Sequence, residues 1–384
     1  MSQESLAEVT SDSTKEVPRL RGLQHTNHEE VMNENAPPER EPVYYTIPRD
    51  EWAYNEGIQN AAVRTKQQLD ARLNGCGSSS GSGYVTTVTK EKISDHHKRR
   101  EVVIKHITLE DDKPDVGVEE LKSKAPNTVD GQAKGAKDSE VVEDVPVSVE
   151  TEDFQYQGSC TENYYNSDYD PIPAGAQIDG HAIGTTGTPA YHSGRGEFVM
   201  LTVNHILDDG NDEQNQQDAF QPCALNTYSN QGPFLKGKTE PDGLEPNNLC
   251  DRNDELRMDA ASLSFDTDVS YKFAADSGSY KSAEIYEVLG WDWIVDNPGK
   301  SQSRQGSRSG VKSGSVACID PNYKTYLIEA GGRDGDSGGP VYRETWYEHP
   351  TSYRSVGAIH AIGDDTNGGG VHLSEIESYL NVSV

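Results

Sequence analysis

The spacing of apolar and polar positions changes character twice along the chain. Residues 1–43 carry no sustained apolar period and run through stretches such as HTNHEEVMNENAPPERE, so a disordered polar tail is expected, with structure starting near Tyr44. From Pro48 to Asn74 (PRDEWAYNEGIQNAAVRTKQQLDARLN) a proline and acids open the segment, and Trp52, Ile58, Ala62, Val63, Leu69 and Leu73 fall on one face. That pattern predicts a helix. GCGSSSGSG at 75–83 has the composition of a flexible linker. Beyond it, alternation predicts strands at Tyr84 to Thr89, Glu101 to Thr108 and 142–150, and VGVEELKSKAP at 116–126 reads as a short helix. Residues 44–152 are therefore expected to form a helix, a linker and a small α+β module.

From Phe154 the period becomes that of short strands. AQIDGHAIG, EFVMLTVNHIL, DAASLSF, SVACID, KTYLIEA, GPVYRE and SVGAIHAIG are separated by loops rich in Gly, Asn, Asp and Ser, and SEIESYLN near the end has a helical pattern. The expected class for residues 153–384 is all-β, a sandwich or barrel. No internal repeat is visible.

Charge narrows the function. The chain has 64 Asp and Glu against 34 Lys and Arg, a formal charge of -30. A phosphate-rich partner would be repelled, so neither a duplex nucleic acid nor an anionic membrane is expected as partner. Residues 1–150 hold 28 acids and 19 bases (-9), and 151–384 hold 36 and 15 (-21). A carboxylate-crowded surface of this kind is tolerated best when salt screens it, which points to a salt-adapted source. The share of hydrophobic residues is 33%, low enough that part of the chain is expected outside a packed core. No run approaches the roughly 18 apolar residues of a membrane helix. The opening MSQESLAEVTSDST lacks a basic and an apolar signal region, so a cytoplasmic location is expected.

The sharpest chemical signal is Gly335-Asp336-Ser337-Gly338-Gly339-Pro340. A serine hydroxyl attacks a carbonyl only when a base takes its proton and N–H donors await the oxyanion. A glycine two residues earlier permits the backbone turn that aims one such donor. This hexapeptide in an all-β region resembles the chymotrypsin-like serine peptidases. Thr202-Val203-Asn204-His205, closing an apolar strand, is similar to the family's Thr-Ala-Ala-His element and makes His205 the candidate base. RMDAASLSF places Asp259 where the family has its Asp-x-Ala-Leu element, as the candidate orienting carboxylate, with Asp254, Asp266 and Asp268 as competitors. The order His205, Asp259, Ser337 is that of chymotrypsin and not of subtilisins or α/β hydrolases.

The resemblance covers roughly residues 170–384. It implies a chymotrypsin-like double six-stranded β-barrel with a C-terminal helix, and a trypsin-like peptidase acting on peptide or protein substrates with no metal or organic cofactor. By it, the N–H groups of Gly335 and Ser337 form the oxyanion hole. Gly331 occupies the base of the primary pocket, where an Asp would favour Lys or Arg, so a Lys or Arg preference is not expected. His360, Ala361 and Ile362 lie along the substrate strand, and Gly368 to Val371 form the far wall. Asp336 would need a cation or several N–H donors, with Arg304, Arg308 and Arg333 as candidates ahead of a new N-terminus cut at IPAG, 172–175. The chain resembles in particular a haloarchaeal member of the family with an N-terminal extension, and that extension is expected to serve as an inhibitory or folding-assisting prosegment or as an accessory domain. Cys223 and Cys250 are candidates for a disulfide, against free thiols in a reducing compartment. His96, His97, His181, His192 and His372 lack zinc-ligand spacing with cysteines and read as surface or packing residues. The competing reading is a catalytically silent homologue that binds peptides.

Overall fold

The computed structural model describes residues 14–73, 84–89, 92–94, 97–109, 117–134, 139–154, 164–180, 182–207, 218–221, 234–239, 259–265, 268–345, 353–363 and 365–384. Strands dominate, as the alternating pattern predicts. One sheet runs, in spatial order, through Ile183–Thr185, Gln177–Asp179, Asp218–Gln221, Phe234–Thr239, Ala261–Phe265, Glu197–Thr202, Pro189–His192 and Val382–Ser383, with every pairing antiparallel. Its alternate side chains, among them Ile178, Val199, Leu201 and Leu263, meet Phe273, Ile285, Val356, Ile359 and the C-terminal helix Leu373–Leu380 in one core. A second core gathers Leu289, Ile294, Val316, Ile319, Tyr326, Ile328, Val341 and Ala358.

The expected tail is corrected by the structure. Within residues 1–43, Glu16–His25 is a strand, His28–Met32 a helical turn, and Arg40–Pro48 a strand pairing antiparallel with the first. The hairpin escapes a hydrophobicity reading because two of its buried side chains, Arg19 and His25, are polar. Arg19 is ion-paired to Glu56 at 2.9 Å, Asp292 at 3.2 Å and Asp296 at 2.9 Å, and His25 bonds the Val384 carbonyl at 3.2 Å. Asp296 also accepts from Tyr45 Oη (2.6 Å) and Asn55 Nδ2 (2.9 Å). A buried cation is tolerated only with such partners, and these come from residues up to 277 positions away. The strand Glu16–His25 then adds to Tyr280–Leu289 of the second half.

The predicted helix spans Arg49–Arg72 and buries Ile58, Ala61 and Ala62 against Val88, Val102, Val129 and Val145. The expected strands appear as Tyr84–Thr89, Val102–Leu109 and Ser139–Phe154, joined by an unpredicted one at Thr128–Lys134. Tyr84–Thr89 pairs with Val316–Asp320, so this module prolongs a sheet that continues through Thr325–Ile328 to Gly368–Val371 and Ile362–Gly363. N-terminal strands thereby enlarge two of the sheets of the second half. The linker at 75–83 lies outside the described residues, as do Cys76, Cys160, Cys223, Cys250 and the proposed 223–250 bridge; Cys318 is buried. A short helix at Trp291–Asp296 was not expected, because six residues are too few to display a helical period. Among the described residues no helix is long and apolar enough to cross a membrane.

Candidate active site

Strand register delivers the first pair of side chains. Glu197–Thr202 and Ala261–Phe265 are antiparallel with Thr202 opposite Ala261, so the residues after 202 run alongside those before 261. Asp259 accepts the backbone N–H groups of Asn204 (2.8 Å) and His205 (3.1 Å) on Oδ1, and bonds His205 Nδ1 at 2.5 Å through Oδ2. Of the competing carboxylates, Asp268 precedes the strand Val269–Ala274, while Asp254 and Asp266 lie outside the described residues. Asp259 is 6% exposed, and the His205 side chain keeps 26% of its surface open. Burial alone would lower the His205 pKa, but the charge of Asp259 and its hydrogen bond outweigh that and the net shift is upward. Such a histidine is fixed in one orientation, with Nδ1–H spent on the carboxylate.

Ser337 sits in the turn before the strand Pro340–Thr345 and is partly exposed. The turn is pinned on two sides. Toward Tyr353–Ile359, Gly338 N–H donates to the His360 carbonyl (2.7 Å) and His360 N–H to the Gly339 carbonyl (2.8 Å). Toward the first sheet, Thr185 N–H donates to the Ser337 carbonyl (2.7 Å), and Gly187 N–H to the Leu201 carbonyl (2.7 Å). The segment 184–187 is thus shared between the His205 end and the Ser337 turn. A methyl group on Gly184 would fall 2.3 Å from Ile206 Cδ1 and 3.1 Å from the Ser337 carbonyl, so the neighbour of His205 and Ser337 itself flank one backbone position.

Gly335 has φ of +88°, the left-handed region that glycine enters without penalty. Its carbonyl is tied back by Thr185 Oγ1 (2.7 Å) and Ser307 Oγ (2.9 Å), and neither its N–H nor that of Ser337 finds an acceptor among the described residues. Thr185 and Ser307 carry no sequence signal, since a buried hydroxyl that braces a loop looks like any other threonine or serine.

Asp336 is fully buried and its partners decide between the candidate cations. Arg304 Nη1 lies 3.0 Å from Oδ2, and both side chains are 0% exposed. Arg308 and Arg333 contribute only backbone N–H groups, at 2.8 Å each; Ser309 adds its N–H (2.9 Å) and its hydroxyl (2.5 Å). Desolvation opposes the charge, yet Arg304 and these donors hold the Asp336 pKa below the ordinary carboxylate range. Ile172 of the IPAG segment is buried in a strand pairing with Val269–Ala274 and takes no part.

The residues expected to line the substrate groove also gather near the turn. A methyl on Gly331 would lie 1.8 Å from the Asp365 carbonyl, so this position admits no side chain. Ala361 N–H donates to the Gly369 carbonyl (2.8 Å), and Ile362 is opposite Gly369 in the pairing of Ile362–Gly363 with Gly368–Val371. His360 is 3% exposed, with its Nδ1 at 3.2 Å from the Gly369 carbonyl. His192 and His372 are buried packing residues; His372 Nδ1 caps the C-terminal helix by accepting from Ser374 N–H. His181 and His96 lie outside the described residues, as does the side chain of His97.

No family model matches the sequence, and no curated protein is significantly similar to it. Solved structures similar in fold include the Nocardiopsis protease NAPase, at 14% identity over 56% of this chain and 98% of that one, TM-score 0.34. Protease A of Thermobifida fusca is 12% identical over 56% and 97% of the two chains, TM-score 0.33. A serine protease described as glutamic acid specific, with a histidine triad in substrate binding, is 18% identical over 56% and 100%, TM-score 0.33. At these identities the likeness is one of fold, and the chemistry of this chain rests on its own side chains.

Proposed function

We propose that the chain is a serine endopeptidase of the chymotrypsin type, working through His205, Asp259 and Ser337. The observation that carries the reading is the 2.5 Å contact between His205 and Asp259, with Asp259 also held by two backbone N–H groups, beside a GDSGGP turn whose Gly335 and Ser337 N–H groups are unspent. In this reading Ser337 Oγ attacks the peptide carbonyl and His205 Nε2 takes its proton. The imidazolium is stabilised by Asp259 and returns the proton to the leaving amine. The two N–H groups receive the oxyanion, each donor contributing about 3–4 kcal/mol to the barrier reduction, and water then releases the acyl group by the same steps. No step calls for a metal or organic cofactor.

The alternative, a silent homologue that only holds peptides, needs no intact histidine–carboxylate pair. A fluorophosphonate probe separates the two. Full-length protein should label in molar KCl and Ser337→Ala should not; unlabelled wild-type protein refutes the peptidase. The salt-adapted, haloarchaeal origin and the cytoplasmic location belong to the same proposal, the first supported by the charge of -30. We assign the N-terminal 152 residues to assisting the fold, because their strands Glu16–His25 and Tyr84–Thr89 pair with strands of the second half.

A further inference from the structure

Two histidines face each other where the N-terminal hairpin meets the second half of the chain. His25 closes the strand Glu16–His25, and His28 opens the helical turn His28–Met32. Their Nδ1 atoms are 3.4 Å apart and their ring centres 5.7 Å. The second distance exceeds the first by about two ring radii, so the rings point at one another head-on. His25 is 2% exposed and the His28 side chain 11%.

Each far nitrogen is already committed. His25 Nε2 lies 3.2 Å from the Val384 carbonyl, which can only accept, so this nitrogen carries a hydrogen. His28 Nε2 lies 3.1 Å from Glu284 Oε2, and the hydrogen bond from His28 holds the Glu284 pKa below the ordinary carboxylate range. An ionised carboxylate also only accepts, so His28 Nε2 carries a hydrogen as well. Two neutral rings would then aim two lone pairs at each other across the 3.4 Å gap. Two imidazolium rings would aim two N–H groups at each other. With one added proton the contact becomes an N–H facing a lone pair, and every ring nitrogen has a partner.

The surroundings place that proton's charge on the His28 side. Glu284 supplies the countercharge, with Lys272 opposite it in the neighbouring strand. Tyr286 and Tyr353 pack edge-on against the His28 ring at 5.0 and 5.2 Å, and Tyr271 edge-on against His25 at 5.8 Å. Arg40 bears on His25 and is itself paired with Glu377 of the C-terminal helix. Burial, then the charges of His28 and Arg40, outweigh the Val384 contact and bring the His25 pKa down to about 4.

We propose that His25 and His28 share a single proton that latches the N-terminal hairpin to the second half, making the docking of this hairpin pH-sensitive. The latch is closed with one proton and opens with none or two. A proton held in the docked state and released on opening contributes fully below the ordinary histidine pKa of about 6.5, and the contribution is lost as pH rises. The second proton acts in reverse: His25 takes it only near pH 4, so docking also weakens as pH falls from 6.5. What the latch covers is a sheet edge, where Gly22, Leu23 and Gln24 pair with Leu289, Val288 and Glu287. The inference is independent of the peptidase reading.

The test uses full-length protein. Nitrogen-15 spectra of labelled histidines at pH 7, assigned through His28→Gln, should show three protonated nitrogens among the four of this pair. Amide exchange, corrected for its intrinsic pH dependence, reads the docking. Protection of Gly22, Leu23 and Gln24 should fall by up to about tenfold per pH unit above 6.5, and that of Met200 and Leu201 in the other sheet should not follow it. His28→Arg, whose charge does not titrate, should remove the fall. Two protonated nitrogens in the pair at pH 7, or wild-type hairpin protection that stays flat above pH 6.5, overturns the proposal.

Discussion

Asp259→Asn isolates what the carboxylate does, because the structure predicts how the amide will sit. Oδ1 of Asp259 accepts two backbone N–H groups, from Asn204 and His205, and only an oxygen can keep both. The amide oxygen therefore stays there and the NH2 group turns to His205 Nδ1, where Oδ2 now lies at 2.5 Å. Two donors cannot face each other, so the imidazole must carry its proton on Nε2, the atom that in the proposed mechanism accepts from Ser337. The fold survives, since the backbone contacts remain, but the base is in the wrong tautomer and its imidazolium has lost its countercharge. Such a change lowers kcat by about 10⁴-fold, roughly 5 kcal/mol of barrier. The assay is kcat and kcat/KM across pH on a peptide that the wild-type protein cleaves, with thermal unfolding as a check on the fold. Wild-type activity should rise as pH passes the raised His205 pKa, because only the neutral ring accepts a proton. A folded variant that keeps its rate within tenfold of wild type refutes the reasoning.

Three further outcomes test the architecture. His25, His360 and His372, pushed down mainly by burial to about 4, 3 and 4 from 6.5, bind fewer protons folded than unfolded, so stability should be full above pH 6.5 and fall steeply as pH drops from 6.5 toward 4. His205, shifted the other way, contributes below 6.5 and loses its contribution as pH rises through its raised value, placing the optimum near pH 6.5; a midpoint in urea that is flat from pH 4 to 6.5 contradicts this. A chain starting at Glu152 loses the strand next to Val316–Asp320 and the cover of a sheet edge, and should aggregate or melt far below full length unless residues 1–151 are supplied separately; equal melting temperatures for the two chains would disprove that role. Added KCl should raise the melting temperature by screening the charge of -30, and a steady fall with salt would count against salt adaptation.

Much of the candidate site's local structure was legible in the sequence because its signals are local. The GDSGGP turn needs glycines where the backbone takes positive φ, at Gly335 and Gly338, and the apolar strand ending in His205 announces its own period. The strands of the second half follow from alternation, and the long helix from its spacing. The rest depends on partners far away in the chain. Arg304, Arg308 and Arg333 were equal candidates for Asp336 until packing brought one guanidinium and two backbone N–H groups to it. The N-terminal hairpin looked like a solvated tail because Arg19 and His25 are buried by ion pairs and a carbonyl contributed from beyond residue 280. Periodicity reports which face of an element meets apolar neighbours; whether a charge is buried is decided by the counterion across the fold, and only the tertiary structure supplies it.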